Sequence, residues 1–224
     1  MFKFKGRSTW CVYANKNTIK GKMKFNNQDG ILSGIEMMGD NIRSDIQYCG
    51  EGVVFYPLCK IVRACNTQVD DYTRICDYTF IDAGKSLIIG KHCMITWHVV
   101  IEGGGETKLG DRCFIGPSTK LLTSTYEFDG AYAAEFINQE CRAFRRDNII
   151  LEDDVYIGAN CVIMPGVHIA EGTVIGANSV VTKDITEPWS VYVGTPCKKV
   201  RDRVRPSEEI RKKLLDTSNW DNHL

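Results

Sequence analysis

No stretch of this 224-residue chain is apolar for long enough to cross a bilayer as a helix. An excess of charge is missing too. Lys plus Arg and Asp plus Glu each number 28, which argues against nucleic acid or a membrane surface bound through bulk charge. The chain has 10 cysteines but no C-x-x-C pair and no Cys/His run with metal-ligand spacing, so no metal is expected. No signal peptide is recognisable, so the thiols are expected to be reduced and the protein cytoplasmic. From Leu151 onward the spacing of apolar residues is neither the 3.6 of a helix nor the 2 of a half-buried strand.

The period there is six. Leu151, Ile157, Ile163, Ile169, Ile175 and Val181 are all aliphatic, and the clearest units read I157-G-A-N-C-V and I175-G-A-N-S-V. Six residues make a short strand plus a corner, wound repeatedly about one axis so that the first-position aliphatics stack into a core. The same grammar runs earlier through Ile89, Ile95 and Ile101, and through Leu109, Ile115 and Leu121, with a weaker opening at Val69, Ile75, Ile81 and Leu87. From Ile81 to Ile89 and from Ile101 to Leu109 the step is eight, so those turns carry two extra corner residues. Cys93, Cys113 and Cys161 each lie four residues after a core aliphatic, where a turning chain admits only a small inward side chain. The fold class is therefore all-β, a parallel β-helix.

The register breaks once, over residues 122–150, a stretch holding Tyr126, Phe128, Tyr132, Phe136 and Phe144 together with Arg142, Arg145 and Arg146. A long aromatic-rich insertion in a regular coil predicts a binding loop projecting from it. Residues 1–60 lack a clear period, and the alternation at Lys3-Phe4-Lys5 and Lys22-Met23-Lys24-Phe25 predicts β-strands with turns. Residues 61–203 form the expected repeat domain. Residues 204–224 hold a predicted short helix and tail, with Ser207 as cap, Glu208 and Glu209 in its first turn, and Lys212 and Lys213 near its end.

The hexapeptide units, the insertion and the ending V-T-K-D-I-T-E-P-W-S-V-Y-V-G-T-P-C-K-K-V-R resemble the hexapeptide-repeat acyltransferases of the left-handed β-helix class. The likeness covers roughly residues 50 to 203 and is strongest to the branch that acetylates sugars and nucleotide-linked amino sugars. It implies a homotrimer that takes acetyl-CoA as co-substrate in a groove between adjacent coils. Ala159 and Ala177 match small positions that let the pantetheine arm approach the backbone, and the N–H of Ala159 matches an oxyanion donor. Thr182 and Lys183 match the bend toward the nucleotide, and Lys198 and Arg201 match basic positions facing its phosphates. Lys199 and Arg203 read as solvated surface charges.

On the acceptor side the sequence departs from the family. The O-acetyltransferases that it resembles carry a basic His in the segment T123-S-T-Y-E-F-D, where this chain has Tyr126, and a phenol is a poor base at neutral pH. His98 is the other candidate, pointing outward three residues after Ile95, with Glu102 to orient it. His92 and His168 rank lower. Tyr126, Asp129 and Arg145 are the remaining expected acceptor contacts. A hydroxyl must lose its proton nearly in step with attack, whereas an amine has a neutral fraction available. The expected reaction is therefore N-acetylation of a nucleotide-linked amino-deoxysugar destined for surface polysaccharide. O-acetylation of a simple sugar or antibiotic remains open, as does a catalytically silent scaffold. A carbonic anhydrase of this fold would need a three-His zinc site, which the four histidines do not offer in register.

Overall fold

The computed structural model describes residues 42–134 and 137–214. The expected strands at Lys3 to Lys5 and Lys22 to Phe25, the aromatic Phe136 and the last ten residues of the tail lie outside the described residues.

The chain winds as a three-sided parallel solenoid. The first coil holds β1 (Tyr48–Cys49), β2 (Val54–Phe55) and β3 (Lys60–Val62), and the second β4 (Thr67–Val69), β5 (Arg74–Ile75) and β6 (Phe80–Asp82). The third holds β7 (Ser86–Ile89), β8 (Met94–Ile95) and β9 (Val100–Glu102). The fourth holds β10 (Glu106–Leu109), β11 (Phe114–Ile115) and β12 (Lys120–Leu122). An antiparallel hairpin of β13 (Ser124–Glu127) and β14 (Ala143–Arg146) interrupts the winding. Two more coils follow: β15 (Ile149–Leu151), β16 (Tyr156–Ile157) and β17 (Val162–Ile163), then β18 (His168–Ile169), β19 (Val174–Ile175) and β20 (Val180–Val181). A final hairpin, β21 (Ser190–Gly194) and β22 (Cys197–Asp202), precedes α1 (Glu208–Leu214). The first strand of every coil forms face A, the second face B and the third face C.

Register follows the aliphatic repeat. Partners advance by 20 residues a turn from Val69 to Ile89 to Leu109, and by 18 from Leu151 to Ile169. The eight-residue steps thus supply the longer corners of the lower turns. Ile75, Ile95, Ile115, Ile157 and Ile175 stack without solvent exposure behind face B, and Cys93, Cys113 and Cys161 are buried beside such columns. Each of these thiols also donates to a carbonyl of the next coil: Cys93 to Gly110 at 3.1 Å, Cys113 to Glu152 at 3.2 Å and Cys161 to Gly176 at 3.2 Å. The expected boundary at residue 61 falls inside the first coil, which begins at Tyr48. Its short strands hold few aliphatics at six-residue spacing, so periodicity alone misses them.

The corners explain how short strands make a continuous wall. Between faces A and B, residues Tyr72, His92, Arg112, Asp154 and Trp189 adopt positive φ. Between faces B and C, Tyr78, His98, Ser118, Asn160 and Asn178 do the same. This backbone costs roughly 1–2 kcal/mol for a non-Gly residue. It also aims the N–H along the solenoid axis, where it donates to the coil below: His92 to Asp71 at 2.9 Å, Ser118 to Trp97 at 3.0 Å, Asn160 to Pro117 at 2.7 Å and Asn178 to Ala159 at 2.9 Å. The hydrogen-bond ladder therefore passes round the corners unbroken.

Over the last coil, Trp189 is 8% exposed, and Arg203 lies over its ring at 5.0 Å. The Arg203 guanidinium donates to the carbonyls of Asp154 at 3.0 Å and Gly172 at 2.8 Å. That corrects the reading of Arg203 as a solvated charge: it ties the final hairpin to two coils. Lys199 pairs with Glu187 and Asp202. In α1, the Ser207 Oγ accepts from the N–H of Ile210, as the sequence reading expects, and Lys213 also pairs with Glu209. Arg203→Ala should lower stability by about 1–3 kcal/mol, read as a shift in urea midpoint at constant slope, because two carbonyls lose a charged donor.

Candidate functional site

Two edges of the prism carry the sequence candidates, and they are not the same edge. The corner between faces B and C is a ladder in which each rung is one coil. Its positive-φ column reads Tyr78, His98, Ser118, Asn160 and Asn178. The column one residue earlier reads Asp77, Trp97, Pro117, Ala159 and Ala177. His98, Ala159 and Ala177 are thus brought to one edge, with His98 two rungs below Ala159. Close packing fixes the backbone there. A Cβ on Gly116 would meet the nitrogen of Ala159 at 2.7 Å, and one on Gly158 would meet that of Ala177 at 2.6 Å. At these two rungs a Cβ would overlap the backbone of the next coil, so glycine stands where the lower coils carry Cys76 and Thr96. The sequence signal was the repeated I-G-A-N unit.

His98 is exposed, and its imidazole stacks on the phenol of Tyr78 with ring centroids 5.0 Å apart and planes 6° from parallel. Glu102 does not orient it. His98 lies in the corner ahead of β9 and Glu102 ends that strand, so the two sit at opposite sides of face C. His92 occupies the corner between faces A and B, stacked on Tyr72 at 5.4 Å, and burial holds its pKa below the usual value. His168 begins β18, and its Nε2 lies 2.8 Å from the carboxylate of Glu152.

Nucleotide-side candidates divide. The final hairpin turns over the edge that carries Ala177: the N–H of Gly194 donates to Ser179 Oγ at 3.0 Å and the hydroxyl of Thr195 to the carbonyl of Asn178 at 3.3 Å. Lys198, opposite Val193, is exposed beside this tip. Arg201 lies further back, opposite Val191, with its guanidinium on the carbonyl of Asp202 at 3.0 Å. Thr182 and Lys183 follow β20 and lie past the other side of face C.

That other side, between faces C and A, carries the insertion. Tyr126 is half-buried, packed edge-on against Phe144 at 5.1 Å, and Arg146 covers the Phe144 ring at 4.7 Å. Arg145 bonds Asp147 at 2.6 Å and the Pro165 carbonyl at 3.3 Å, so its charge is engaged at the base of the hairpin. Asp129 is exposed near the hairpin's end. Within one chain, face C separates Tyr126, Asp129 and Arg145 from His98, Ala159 and Ala177. No group of three or more His, Cys, Asp or Glu side chains is arranged to hold a metal ion among the described residues.

The family description "Bacterial transferase hexapeptide (six repeats)" matches residues 148–183. A probable macrolide acetyltransferase from Lysinibacillus sphaericus is 35% identical over 149 residues, covering 64% of this chain and 72% of the relative. The chain belongs to the hexapeptide-repeat transferases. A chloramphenicol acetyltransferase from Escherichia coli is 33% identical over 125 residues, 50% of this chain and 58% of that protein. The chain thus spans little more than half the length of some curated relatives that it matches. Among solved structures, the N-acyltransferase AntD from Bacillus cereus, in complex with dTDP and 3-hydroxybutyryl-CoA, is 23% identical with a TM-score of 0.71. The match covers 80% of this chain and 95% of AntD. A hexapeptide-repeat acetyltransferase from Vibrio cholerae, complexed with acetyl coenzyme A, is 27% identical with a TM-score of 0.54, covering 73% and 75%.

The close approach of the Gly158 and Ala177 rungs makes a strong test of the edge. Gly158→Ala must push the next coil away, so it should cost about 1–3 kcal/mol in a denaturant titration. An exposed change such as Lys212→Ala should cost under about 0.5 kcal/mol.

Proposed function

We propose that the protein transfers acetyl from acetyl-CoA to the amino group of a nucleotide-linked amino-deoxysugar, acting as a cytoplasmic homotrimer in the assembly of surface polysaccharide. The observation that carries this reading is the B–C corner, where an exposed imidazole sits two rungs below backbone that only small residues cover. A pantetheine arm lying along Ala177 and Ala159 brings its thioester to the Ala159 N–H, which donates to the oxygen as it gains charge. The acceptor nitrogen attacks the carbonyl carbon, the carbon–sulfur bond breaks and CoA leaves as thiolate. His98 takes the proton that the nitrogen sheds. Positioning two bound substrates supplies much of the rate, and no acyl-enzyme is needed.

Two further points support an amine acceptor. Tyr126, at the position where a basic His is expected, packs against Phe144. AntD, whose fold this chain shares, is named as an N-acyltransferase, and a point mutant of it was crystallised with dTDP-4-amino-4,6-dideoxyglucose and coenzyme A. A threefold assembly lets the insertion of one subunit reach the B–C edge of its neighbour, which would join Tyr126, Asp129 and Arg145 to His98. The second reading, O-acetylation of an antibiotic, is favoured by the 33–35% identity to chloramphenicol and macrolide acetyltransferases.

Release of free CoA thiol should be fastest with dTDP-linked amino sugars in a panel that includes chloramphenicol, a macrolide and simple hexoses. Turnover of the antibiotics alone would overturn the amino-sugar reading. His98→Asn should lower kcat by roughly 10²–10⁴-fold with little change in KM for acetyl-CoA. Lys198→Ala should raise that KM about 5- to 100-fold at nearly constant kcat, and Arg201→Ala should raise it less, because Lys198 stands nearer the edge.

A further inference from the structure

The B–C corner has one rung without a large side chain. Going up the solenoid, the positive-φ column presents the ring of Tyr78, the ring of His98, the hydroxymethyl of Ser118, and then the amides of Asn160 and Asn178. Neighbouring coils rise by about 4.8 Å, so His98 and Asn160 are separated by roughly 10 Å. The stacked pair beneath shows how rings fill this column when present, at 5.0 Å per rung. A flat group needs about 3.5–4 Å to each neighbour, so the space above the His98 ring takes one such group and no more.

Its walls have a defined chemistry. Below lies the upper face of the His98 imidazole, whose lower face Tyr78 covers. Above, the Asn160 side-chain nitrogen donates to Asn178 Oδ1 at 2.7 Å, which leaves the Asn160 oxygen able to accept from an N–H beneath it. To one side stands Pro117, with the indole of Trp97 one rung lower and 45% exposed. The ammonium of Lys120 donates to the Ser118 carbonyl at 2.8 Å. A cation there disfavours a second positive charge nearby, which favours the neutral, nucleophilic form of an amine bound in this space.

We propose that the gap at Ser118 is the acceptor subsite, which holds the amine-bearing end of the substrate between His98 and Asn160. This rests on the assignment of acetyl transfer to the same edge and deepens it. The rungs then order the reaction: base on the third coil, acceptor level with the fourth, thioester at Ala159 on the fifth. Trp97 offers an aromatic surface to the less polar side of the sugar, and Tyr78 fixes the plane of the imidazole. The Asn160 oxygen accepts from the N–H of the acceptor, and the preference for an amine comes from the neighbouring Lys120 charge. A hydroxyl can also donate to that oxygen, but it gains nothing from Lys120 in the way of a neutral, nucleophilic form.

The test fills the rung. Ser118→Tyr and Ser118→His copy side chains that this scaffold already carries in the same conformation at residues 78 and 98, so both variants are compatible with the coil. Steady-state turnover of dTDP-4-amino-4,6-dideoxyglucose and binding of CoA by titration calorimetry are measured on the full-length protein, with circular dichroism as the folding check. Either filled variant should lose about 100-fold or more in kcat/KM for the acceptor, with CoA affinity within about twofold of the parent. The exposed change Lys212→Ala, on α1 and away from the edge, should stay within about threefold. Turnover by the folded filled variants within about threefold of the parent would overturn the subsite. Loss of CoA binding would also overturn it, because the gap would then belong to the cofactor. If His98→Asn is harmless while the filled variants fail, the base assignment falls and the subsite stands. If no amino sugar is turned over by the parent, the functional reading itself falls.

Discussion

The backbone hydrogen bond that each corner residue sends to the coil below holds this molecule together, and the site inherits its geometry. Strands of two to four residues cannot sustain a sheet alone. They do so here because the N–H of residues such as Tyr72, His92 and Arg112, or Ser118, Asn160 and Asn178, continues the ladder round the bend. The required positive φ is paid for by that bond and by what the side chains then do. Arg112, for example, grips the carboxylate of Asp154 through Nε at 2.7 Å and Nη2 at 3.0 Å. Once the corners are in register, residues one turn apart fall on one line, and chemistry can be laid out along it.

That alignment makes distance along the axis a matter of counting turns. His98, Ser118, Asn160 and Asn178 are separated in sequence by a hairpin insertion, yet they share one column because the insertion leaves the solenoid at Leu122 and returns at Ile149 without shifting the pairing of Leu121 with Ile163. The insertion is tied to its own edge. Arg146 donates to the Gly103 carbonyl at 3.1 Å, and the N–H of Asp147 donates to that of Thr123 at 2.9 Å. The base of the hairpin is therefore fixed on the C–A side, away from its own chain's B–C corner.

The repeat was readable because aliphatics at Leu151, Ile157 and Ile163 leave no other period, and the extra corner residues were readable from the eight-residue steps. The left-handed conformation of the corners was harder to see. Gly, Asn and Asp announce it at Asp154, Asn160, Gly172 and Asn178, but the lower coils put Tyr, His and Arg at the same places, residues that seldom signal positive φ. The outward direction of His98 followed from its phase against Ile95. Its separation from Glu102 did not, since four residues along a chain look close until one knows that a strand of face C runs between them. Nor did the sequence disclose that the insertion pairs as a hairpin, because the strand partners Tyr126 and Phe144 are far apart in sequence.

With His98 on one edge and Tyr126, Asp129 and Arg145 on another, the proposed threefold assembly is what would bring the acceptor-side candidates together. The most direct measurement is subunit complementation. His98→Asn subunits are co-expressed with subunits in which residues 124–146 are replaced by a short Gly/Ser link, and mixed oligomers are purified by two tags. Each parent variant should be inactive. A mixed trimer contains one interface that joins an intact His98 edge to an intact hairpin, so it should recover about one third of the wild-type activity. No recovery in a well-formed mixed trimer, or full activity in the hairpin-less parent, would contradict a site shared between subunits.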